Sequence, residues 1–284
     1  MAPPGGPESA GYAGMEEMSD STVFATIRAA ERVWAVGAIH GEVGRLIGLH
    51  DLLVARLALG DRLIYLGNFL GRGPDIQDTI TELLRFRCAF LSLPPYTDAA
   101  DIVFLRGHQE EMWQKLLQLQ FAVDPVAVLD WVLPRGADAT LQAYGGDAAD
   151  ARRAARDGPV ALTQWTGRLR EAMRAKPGHN ALMGVLKRAA LTAEGGLLFV
   201  NSGLDVSRPL SAQSDSFWWA GRSFAAIDAP YGGFRRIVRG FDPDHGGFRE
   251  TPHTLTVDSG CGYGGTLTAV CLAPDGTLLD RLEH

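Results

Sequence analysis

The chain has 284 residues, of which 46% are hydrophobic and 21% charged, and its formal net charge at pH 7 is −6. This length and composition are those of a globular protein with a full hydrophobic core. The acidic balance argues against a generally basic nucleic-acid-binding surface, and no run approaches the roughly 20 apolar residues of a membrane span, so we expect neither a nucleic-acid partner nor a membrane.

The first 22 residues are rich in Pro, Gly and small polar residues. They lack the basic start and apolar run of a signal peptide. Such a composition cannot bury enough apolar surface to order itself. We therefore predict a disordered tail over 1–22 and a single domain over 23–284.

Three strand–helix units follow the tail. The apolar runs RVWAVGAI (32–39), DRLIYLG (61–67) and DIVFLRG (101–107) predict strands, and an amphipathic helical pattern follows each of them. Strands that alternate with helices over short connections favour a parallel sheet. In such a sheet the loops after the strands share one edge, and ligands bind at that edge.

A helical segment and a β-rich half complete the chain. The segment over about 124–191 is rich in Ala, Arg and Leu and is broken by Gly and Pro, which predicts a helical cap insertion. Several strand-like runs come after it, with a hairpin signal at PDGT (274–277). We therefore predict an α/β (α+β) fold in which two sheets form a sandwich flanked by helices.

The cysteines indicate the compartment. Cys88, Cys261 and Cys271 are an odd number without a CxxC pair, and each lies in an apolar run. This pattern is typical of buried, reduced thiols rather than of a disulfide framework. We expect a cytoplasmic protein.

Four loops that follow predicted strands share one character: GAIHGEV (37–43), GNFLGRG (67–73), RGHQEEM (106–112) and VNSGLD (200–205). Together they resemble the calcineurin-like metallophosphoesterases, above all the bacterial serine/threonine protein phosphatases and the symmetrical dinucleoside tetraphosphatases. Those proteins carry GDxHG, GDxxDRG and GNHE at strand ends, then a His in a VHAG strand and another in a GH turn. The resemblance includes a closing hairpin at TLTVDSGCGYGGTLTAVCL (254–272) and implies the family's two-sheet fold.

The resemblance also implies a degenerate metal site. The positions where the family has ligands or catalytic groups hold other residues here: Ala38, Asn68, Gly71, Gln109, Asn201 and Phe241. One family ligand, His40, is kept, and His108 stands where the family has Asn. Arg72 matches a phosphate-binding arginine of the family, and Arg222 in FWWAGRSF matches a second one less closely.

These substitutions remove the charge that a pair of metal ions needs. Two doubly charged cations about 4 Å apart repel by roughly 17 kcal/mol at an effective dielectric constant near 20, and anionic ligands must offset that repulsion. The bridging position is the neutral amide Asn68, and Gln109 cannot act as a general acid. We therefore expect a pseudophosphatase without a cofactor, which binds a protein partner or a phosphorylated ligand.

Other interpretations remain open. His40 and His108 could bind a single divalent metal such as manganese, which would give a weakly active phosphoesterase, or each could be a hydrogen-bonded strand-end histidine. Arg72 could cap a helix or pair with Asp75 instead of binding phosphate. The protein could also be a structural subunit that uses the cap as an interface.

Two further stretches have ordinary interpretations. GCGYGG (260–265) fits GxGxxG, but a strand follows it rather than a helix, so we predict a tight hairpin turn and no dinucleotide site. DPDHGG (242–247) predicts a solvated loop. Trp218 and Trp219 are expected in the core or at the rim of the cleft.

Overall fold

The computed structural model describes residues 23–94 and 98–284. The predicted tail over 1–22 lies outside the described residues. In chain order the strands are β1 (Phe24–Ile27), β2 (Arg32–Val36), β3 (Asp61–Tyr65), β4 (Ile102–Phe104), β5 (Ala189–Thr192), β6 (Leu197–Val200), β7 (Arg236–Arg239), β8 (Arg249–Glu250), β9 (Thr254–Thr256), β10 (Thr268–Leu272) and β11 (Leu278–Glu283).

The helices lie between these strands. They are α1 (Val43–Val54), α2 (Ile76–Leu91), α3 (His108–Leu117), α4 (Pro125–Val132), α5 (Ala137–Ala143), α6 (Ala148–Asp157), α7 (Pro159–Arg174), α8 (His179–Val185) and α9 (Ser216–Trp219). None of the helices in the described ranges has both the length and the apolar character that crossing a bilayer requires.

The first sheet has the order β11-β10-β2-β3-β4. Strands β2, β3 and β4 are parallel, as the strand–helix alternation predicts. Strand β10 runs antiparallel to β2 and continues into β11 through the predicted PDGT turn, in which Gly276 has φ +90°. Glycine occupies that conformation without the steric cost of a Cβ.

The second sheet has the order β1-β5-β6-β7-β9-β8 and is also mixed. Its strands β1, β5 and β8 have no counterpart in the sequence-based expectation, because they are only two to four residues long. The predicted closing hairpin is wrong as a strand pairing. Strand β9 belongs to this sheet and β10 to the other, so only bridges around Ser259 and Thr266 join the two arms.

The two sheets pack face to face, which confirms the predicted sandwich. Along β2, Val33 and Ala35 point to the core between the sheets, where they join Phe199 of β6 and residues of β7 and β9. Trp34 and Val36 point the other way and pack under the helices. The alternation follows from the two-residue repeat of a strand, and it buries both faces of the first sheet.

Helices α4 to α8 follow α3 in the segment where the sequence predicts a cap. Their apolar side chains, such as Leu141, Trp165 and Leu169, join the same core as Trp113 of α3. The helices end at Val185, and strand β5 begins at Ala189.

The predicted burial of the three cysteines is correct for two of them. Cys261 and Cys271 are buried, whereas Cys88 is exposed, and all three are free thiols. Cys88 lies on α2 between the buried Phe86 and Phe90. These two rings are four residues apart and share the inner face of the helix, so a residue midway between them faces solvent.

Candidate functional site

The carboxyl ends of five strands meet at one edge of the sandwich. His40, Asn68 and His108 follow β2, β3 and β4, while Asn201 and Phe241 follow β6 and β7. Backbone contacts join these loops directly. The N–H groups of Ile39 and His40 donate to the carbonyl oxygen of Asn68 at 3.0 and 2.7 Å, and the N–H of Phe241 donates to that of Asn201 at 2.9 Å. The predicted gathering of strand-end residues is therefore observed.

The backbone of these loops is held in an unusual conformation. His40, Asn68 and Arg72 have φ values of 55°, 59° and 64°. A non-glycine residue in the left-handed region is uncommon, and such residues concentrate at functional sites because the surrounding structure must hold them there. These loops therefore have the kind of backbone conformation that is common at functional sites.

The two asparagines connect the loops through their amides. Asn68 Oδ1 accepts from the N–H of Gln109 at 3.0 Å. Asn201 Oδ1 accepts from the N–H of His108 at 2.9 Å, and its Nδ2 donates to the carbonyl of Leu66 at 2.7 Å. These hydrogen bonds fix which amide atom is oxygen and which is nitrogen. The two asparagine side chains therefore connect loops that follow different strands by hydrogen bonds.

Aromatic rings fill the centre of the site. The Phe241 ring stacks on His108 with centroids 5.6 Å apart, and it lies edge-on to His40 at 5.5 Å. Tyr263, from the 260–265 loop, lies edge-on to His40 at 5.4 Å from another side. Between them the rings bury His40 completely, as its exposed fraction is 0%.

Gln109 occupies space that an acidic residue at position 71 would need. A Cβ atom at Gly71 would lie 2.3 Å from Gln109 Oε1, and Gly71 also has φ +81°. Gln109 Nε2 donates to the carbonyl of Arg135 at 2.8 Å, which holds the side chain in place. The Gln109 side chain therefore occupies the space that the missing side chain of Gly71 leaves open.

Glu110 has a structural role in the site. Its carboxylate accepts from the backbone N–H groups of Asn68, Phe69, Leu70 and Gly107 at 2.8 to 3.0 Å. Burial raises the pKa of Glu110, and the backbone donors act in the opposite direction. This one side chain joins the loop after β3 to the start of α3.

The cationic part of the site lies at its surface. Arg72 is exposed, and its guanidinium carbon lies 4.1 Å from the centroid of the Tyr263 ring. The structure shows no ion pair of Arg72 with Asp75 within the described residues. Arg135, which the sequence analysis did not single out, lies next to it, because a Cβ on the adjacent Gly136 would come within 3.1 Å of Arg72 Cγ.

Arg222, the second predicted phosphate-binding residue, is exposed in the short 3-10 helix Gly221–Ala226. Its assignment to phosphate binding stays a prediction. Arg135 is a further arginine near the site. Burial lowers the pKa of His108, and the positive charges of Arg135 and Arg72 lower it further.

Two tryptophans extend the surface beside these arginines. Trp219 lies edge-on to His108 with centroids 4.5 Å apart, so it rims the site, whereas Trp218 is buried. Trp131 contacts Trp219 at 5.0 Å and carries the Arg135 guanidinium at 5.3 Å. We call Arg72, Arg135, Trp131, Trp219 and Tyr263 the arginine–aromatic surface.

The expectation of a solvated loop at 242–247 is correct only in part, because Asp244 and Gly246 are exposed and the remaining residues are buried or half-buried. Asp242 is buried and forms an ion pair with Arg239 at 3.1 Å. His245 stacks on Tyr263 with centroids 3.6 Å apart, and its Nδ1 lies 3.6 Å from Asp258 Oδ2. Asp258, which follows strand β9, thus contacts this loop from another part of the chain. The sequence of the loop itself does not indicate this contact.

Comparison with known proteins bears on the fold. No protein-family model matches the chain, and no curated protein sequence does. Among solved structures, a protein assigned as a diadenosine tetraphosphatase aligns with 92% of this chain and 98% of its own, at 18% identity and a TM-score of 0.53.

The chain has the metallophosphoesterase fold. Two other structures align at lower scores. A serine/threonine protein phosphatase from Saccharomyces cerevisiae aligns with 93% of this chain and 81% of its own, at 14% identity and a TM-score of 0.48. A metallophosphoesterase from Sphaerobacter thermophilus aligns with 90% and 88%, at 13% identity and a TM-score of 0.40.

A metallophosphoesterase fold implies a pair of divalent metal ions, and the residues present do not fit such a pair. No group of three or more His, Cys, Asp or Glu side chains in residues 23–94 and 98–284 is arranged to hold a metal ion. Neutral amides stand at Asn68 and Asn201, and Phe241 fills the space beside His40. Hard divalent cations prefer anionic oxygen ligands, which this set lacks.

The two site histidines are neutral. Burial lowers the pKa of His40 to about 3 and of His108 to about 4, and the positive charge of Arg72 acts in the same direction on both. Both ring nitrogens of His40 and Nδ1 of His108 have no hydrogen-bond partner among the described residues. The interpretation of His40 as a hydrogen-bonded strand-end histidine is therefore wrong for its ring.

Proposed function

We propose that this protein is a pseudophosphatase, which binds a phosphorylated ligand or partner and does not hydrolyse it. The observation that carries the proposal is the Phe241 ring, which lies within 5.6 Å of the ring centroids of both His40 and His108. A side chain fills the centre of the metallophosphoesterase site, and neutral amides surround it. Neither a hydroxide nucleophile nor a general acid follows from these residues.

The arginine–aromatic surface supports phosphate binding. Its guanidinium groups, those of Arg72 and Arg135, are exposed and rest on aromatic rings. Arg135 Nη1 donates to the carbonyl of Trp131 at 2.8 Å, and a guanidinium carries further N–H donors for an oxyanion. Phosphate is an anion that arginine binds well, often through two N–H groups at once.

Binding of a phosphoserine peptide, measured by calorimetry against the unphosphorylated peptide, tests this proposal. Arg72→Ala should weaken phosphopeptide binding by about tenfold, since a charge-assisted hydrogen bond contributes about 1.5 kcal/mol. Arg249→Ala is the control and should leave binding unchanged, because Arg249 is exposed on β8 at the edge of the second sheet and is not part of the arginine–aromatic surface. Equal binding by wild type and Arg72→Ala would contradict the proposal.

A weakly active, metal-dependent phosphoesterase is the second candidate. Its support is the set of unpartnered ring nitrogens on His40 and His108, which are chemically able to bind a transition metal such as manganese. Elemental analysis of protein purified with manganese, combined with a p-nitrophenyl phosphate assay, separates the two functions. One or two tightly bound equivalents, with hydrolysis that His40→Ala abolishes, would favour this candidate and overturn the first.

The remaining expectations from the sequence stay predictions. They are a protein partner that binds the surface or the helical segment, no nucleic-acid or membrane partner, and a cytoplasmic location. A partner that binds independently of phosphate and of Arg72 would instead favour a structural subunit.

A further inference from the structure

A surface cleft of about 460 Å³ opens beside Trp219, and His108 does not line it. The residues that line it include Asp205, Arg208, Asp215, Ser216, Trp219 and Ser223. We call it the Trp219 cleft. Its volume lies in the range of small-ligand sites, which is about 300–1,000 Å³. Neither the resemblance nor the proposed function assigns it a ligand.

Several polar groups of the cleft are acceptors, and the side-chain donors that line it include Arg208 and Ser214. The hydroxyl of Ser216 donates to Gln213 Oε1 and that of Ser223 donates to the carbonyl of Ala220, so each oxygen has lone pairs left and no hydrogen. Two carboxylates, those of Asp205 and Asp215, add further acceptors. A ligand group that faces Asp215, Ser216 and Ser223 must bring the hydrogen-bond donors itself.

The charges of the cleft favour a cation. Arg208 pairs with Asp205, with Nε to Oδ2 at 3.2 Å, so these two charges offset each other. Hydrogen bonds from Ser207 lower the pKa of Asp205, which keeps it ionised at neutral pH. The Asp215 carboxylate is exposed, and no hydrogen bond or ion pair to it is found in the described part of the chain. One negative charge is therefore available to a ligand.

Trp219 forms an aromatic wall next to this charge. An indole ring attracts a cation placed over its face, and a planar guanidinium stacks on it better than an ammonium does. A guanidinium also carries five N–H donors and no acceptor, which matches the acceptor oxygens of Asp215, Ser216 and Ser223. A phosphate fits this part of the cleft poorly, because its negative charge would face the unpaired carboxylate of Asp215.

We propose that the Trp219 cleft binds the guanidinium group of an arginine side chain presented by a partner protein. Asp215 pairs with the charge, the serine oxygens accept from the remaining N–H groups, and Trp219 stacks against the planar group. The inference does not depend on Arg72 or on phosphate binding, so it can fail or succeed separately from the proposed function.

The test compares an acetyl-Gly-Arg-Gly amide peptide with its citrulline analogue, which keeps the shape of arginine and removes the charge. The indole N–H signal of Trp219 in an NMR titration, assigned with Trp219→Phe, reports occupancy of the cleft. The arginine peptide should bind about fivefold more tightly than the citrulline peptide, as a solvent-accessible ion pair allows.

Asp215→Asn should reduce the arginine affinity to within about twofold of the citrulline affinity. Asp228→Asn is the matched control. It removes an exposed carboxylate that does not line the cleft, and it should keep the preference. Unchanged thermal unfolding of both variants shows that they fold.

Three outcomes would overturn the inference. They are equal affinity for the two peptides, a preference that survives Asp215→Asn, and no shift of the Trp219 signal up to about 10 mM arginine peptide, which is weaker than any useful affinity. Binding of AMP that is tighter than that of the arginine peptide and that Arg72→Ala does not weaken would also overturn it, because the cleft would then be a nucleotide site.

Discussion

Side chains of single residues fill the candidate site. Phe241 and Gln109 occupy its centre, and Gly71 leaves room for Gln109. An acidic residue introduced alone, as in Gly71→Asp, should therefore not create a metal site, because its Cβ would lie 2.3 Å from Gln109 Oε1.

Glu110 is the residue whose loss should cost most stability in the site. Glu110→Ala leaves four buried N–H groups without their acceptor, so the free energy of unfolding should fall by at least about 3 kcal/mol. Urea unfolding monitored by tryptophan fluorescence measures the change.

The neighbour Glu111 provides the control for this prediction. Its carboxylate forms longer ion pairs, with Arg106 at 3.5 Å and Lys115 at 3.3 Å, and both of these cationic side chains are partly exposed to solvent. Glu111→Ala should lower the free energy of unfolding by no more than about 1 kcal/mol. Similar losses for the two variants would show that the Glu110 carboxylate does not organise the loops.

At the scale of elements, the 260–265 loop acts as a cover for the site. It carries the chain from one sheet to the other and places Tyr263 between Arg72 and His245. Two of its glycines differ in what an added Cβ atom would contact. Gly262 and Gly264 have φ values of 80° and 92°, but only Gly262 packs on another residue, with a Cβ position 2.4 Å from His40 Cβ.

Alanine substitutions at these glycines should therefore have unequal effects. Gly264→Ala should cost about 1 kcal/mol of stability, the backbone strain alone. Gly262→Ala should cost at least about 2 kcal/mol more, because the loop must move away from His40. Thermal unfolding compares them, and equal losses would mean that the loop does not pack on His40 as described.

The apolar runs and pairing partners of the strands determine which of them the sequence predicts. The parallel order of β2, β3 and β4 was predictable, since each strand has a continuous apolar run followed by a helix. Strand β1 was not, since it exists through pairing with the distant β5, and β5 was missed although it also pairs with the neighbouring β6. The inward turn of the 242–247 loop depends in the same way on Asp258, from another strand end.

For the whole molecule, buried neutral histidines make stability depend on pH. Burial lowers the pKa of His40 to about 3 and of His50 and His108 to about 4, from an ordinary value of 6.5. Below pH 6.5 the unfolded chain binds protons that the folded chain does not. Each histidine then reduces stability by up to about 1.4 kcal/mol per pH unit, down to its folded-state pKa.

The free energy of unfolding should accordingly fall by at least about 2 kcal/mol between pH 7 and pH 5. The raised pKa of Glu110 opposes this trend at the acid end of the range. Urea titrations at half-unit steps measure the slope. His50→Gln should reduce it, whereas substitution of the exposed His284 by Gln should not, and a flat profile would show that these histidines are not neutral when folded.

The sequence by itself determined the fold class, the edge where strand ends gather and the neutral residues Ala38, Asn68 and Asn201 in the loops there. Apolar periodicity and motif order are local properties of the chain, so they are readable without coordinates. Only the tertiary structure decided that Phe241 and Tyr263 fill the site, that Arg135 lies near His108, and that a cleft opens at Trp219. Those facts depend on which distant side chains meet, and burial and contact are set by packing rather than by neighbours in sequence.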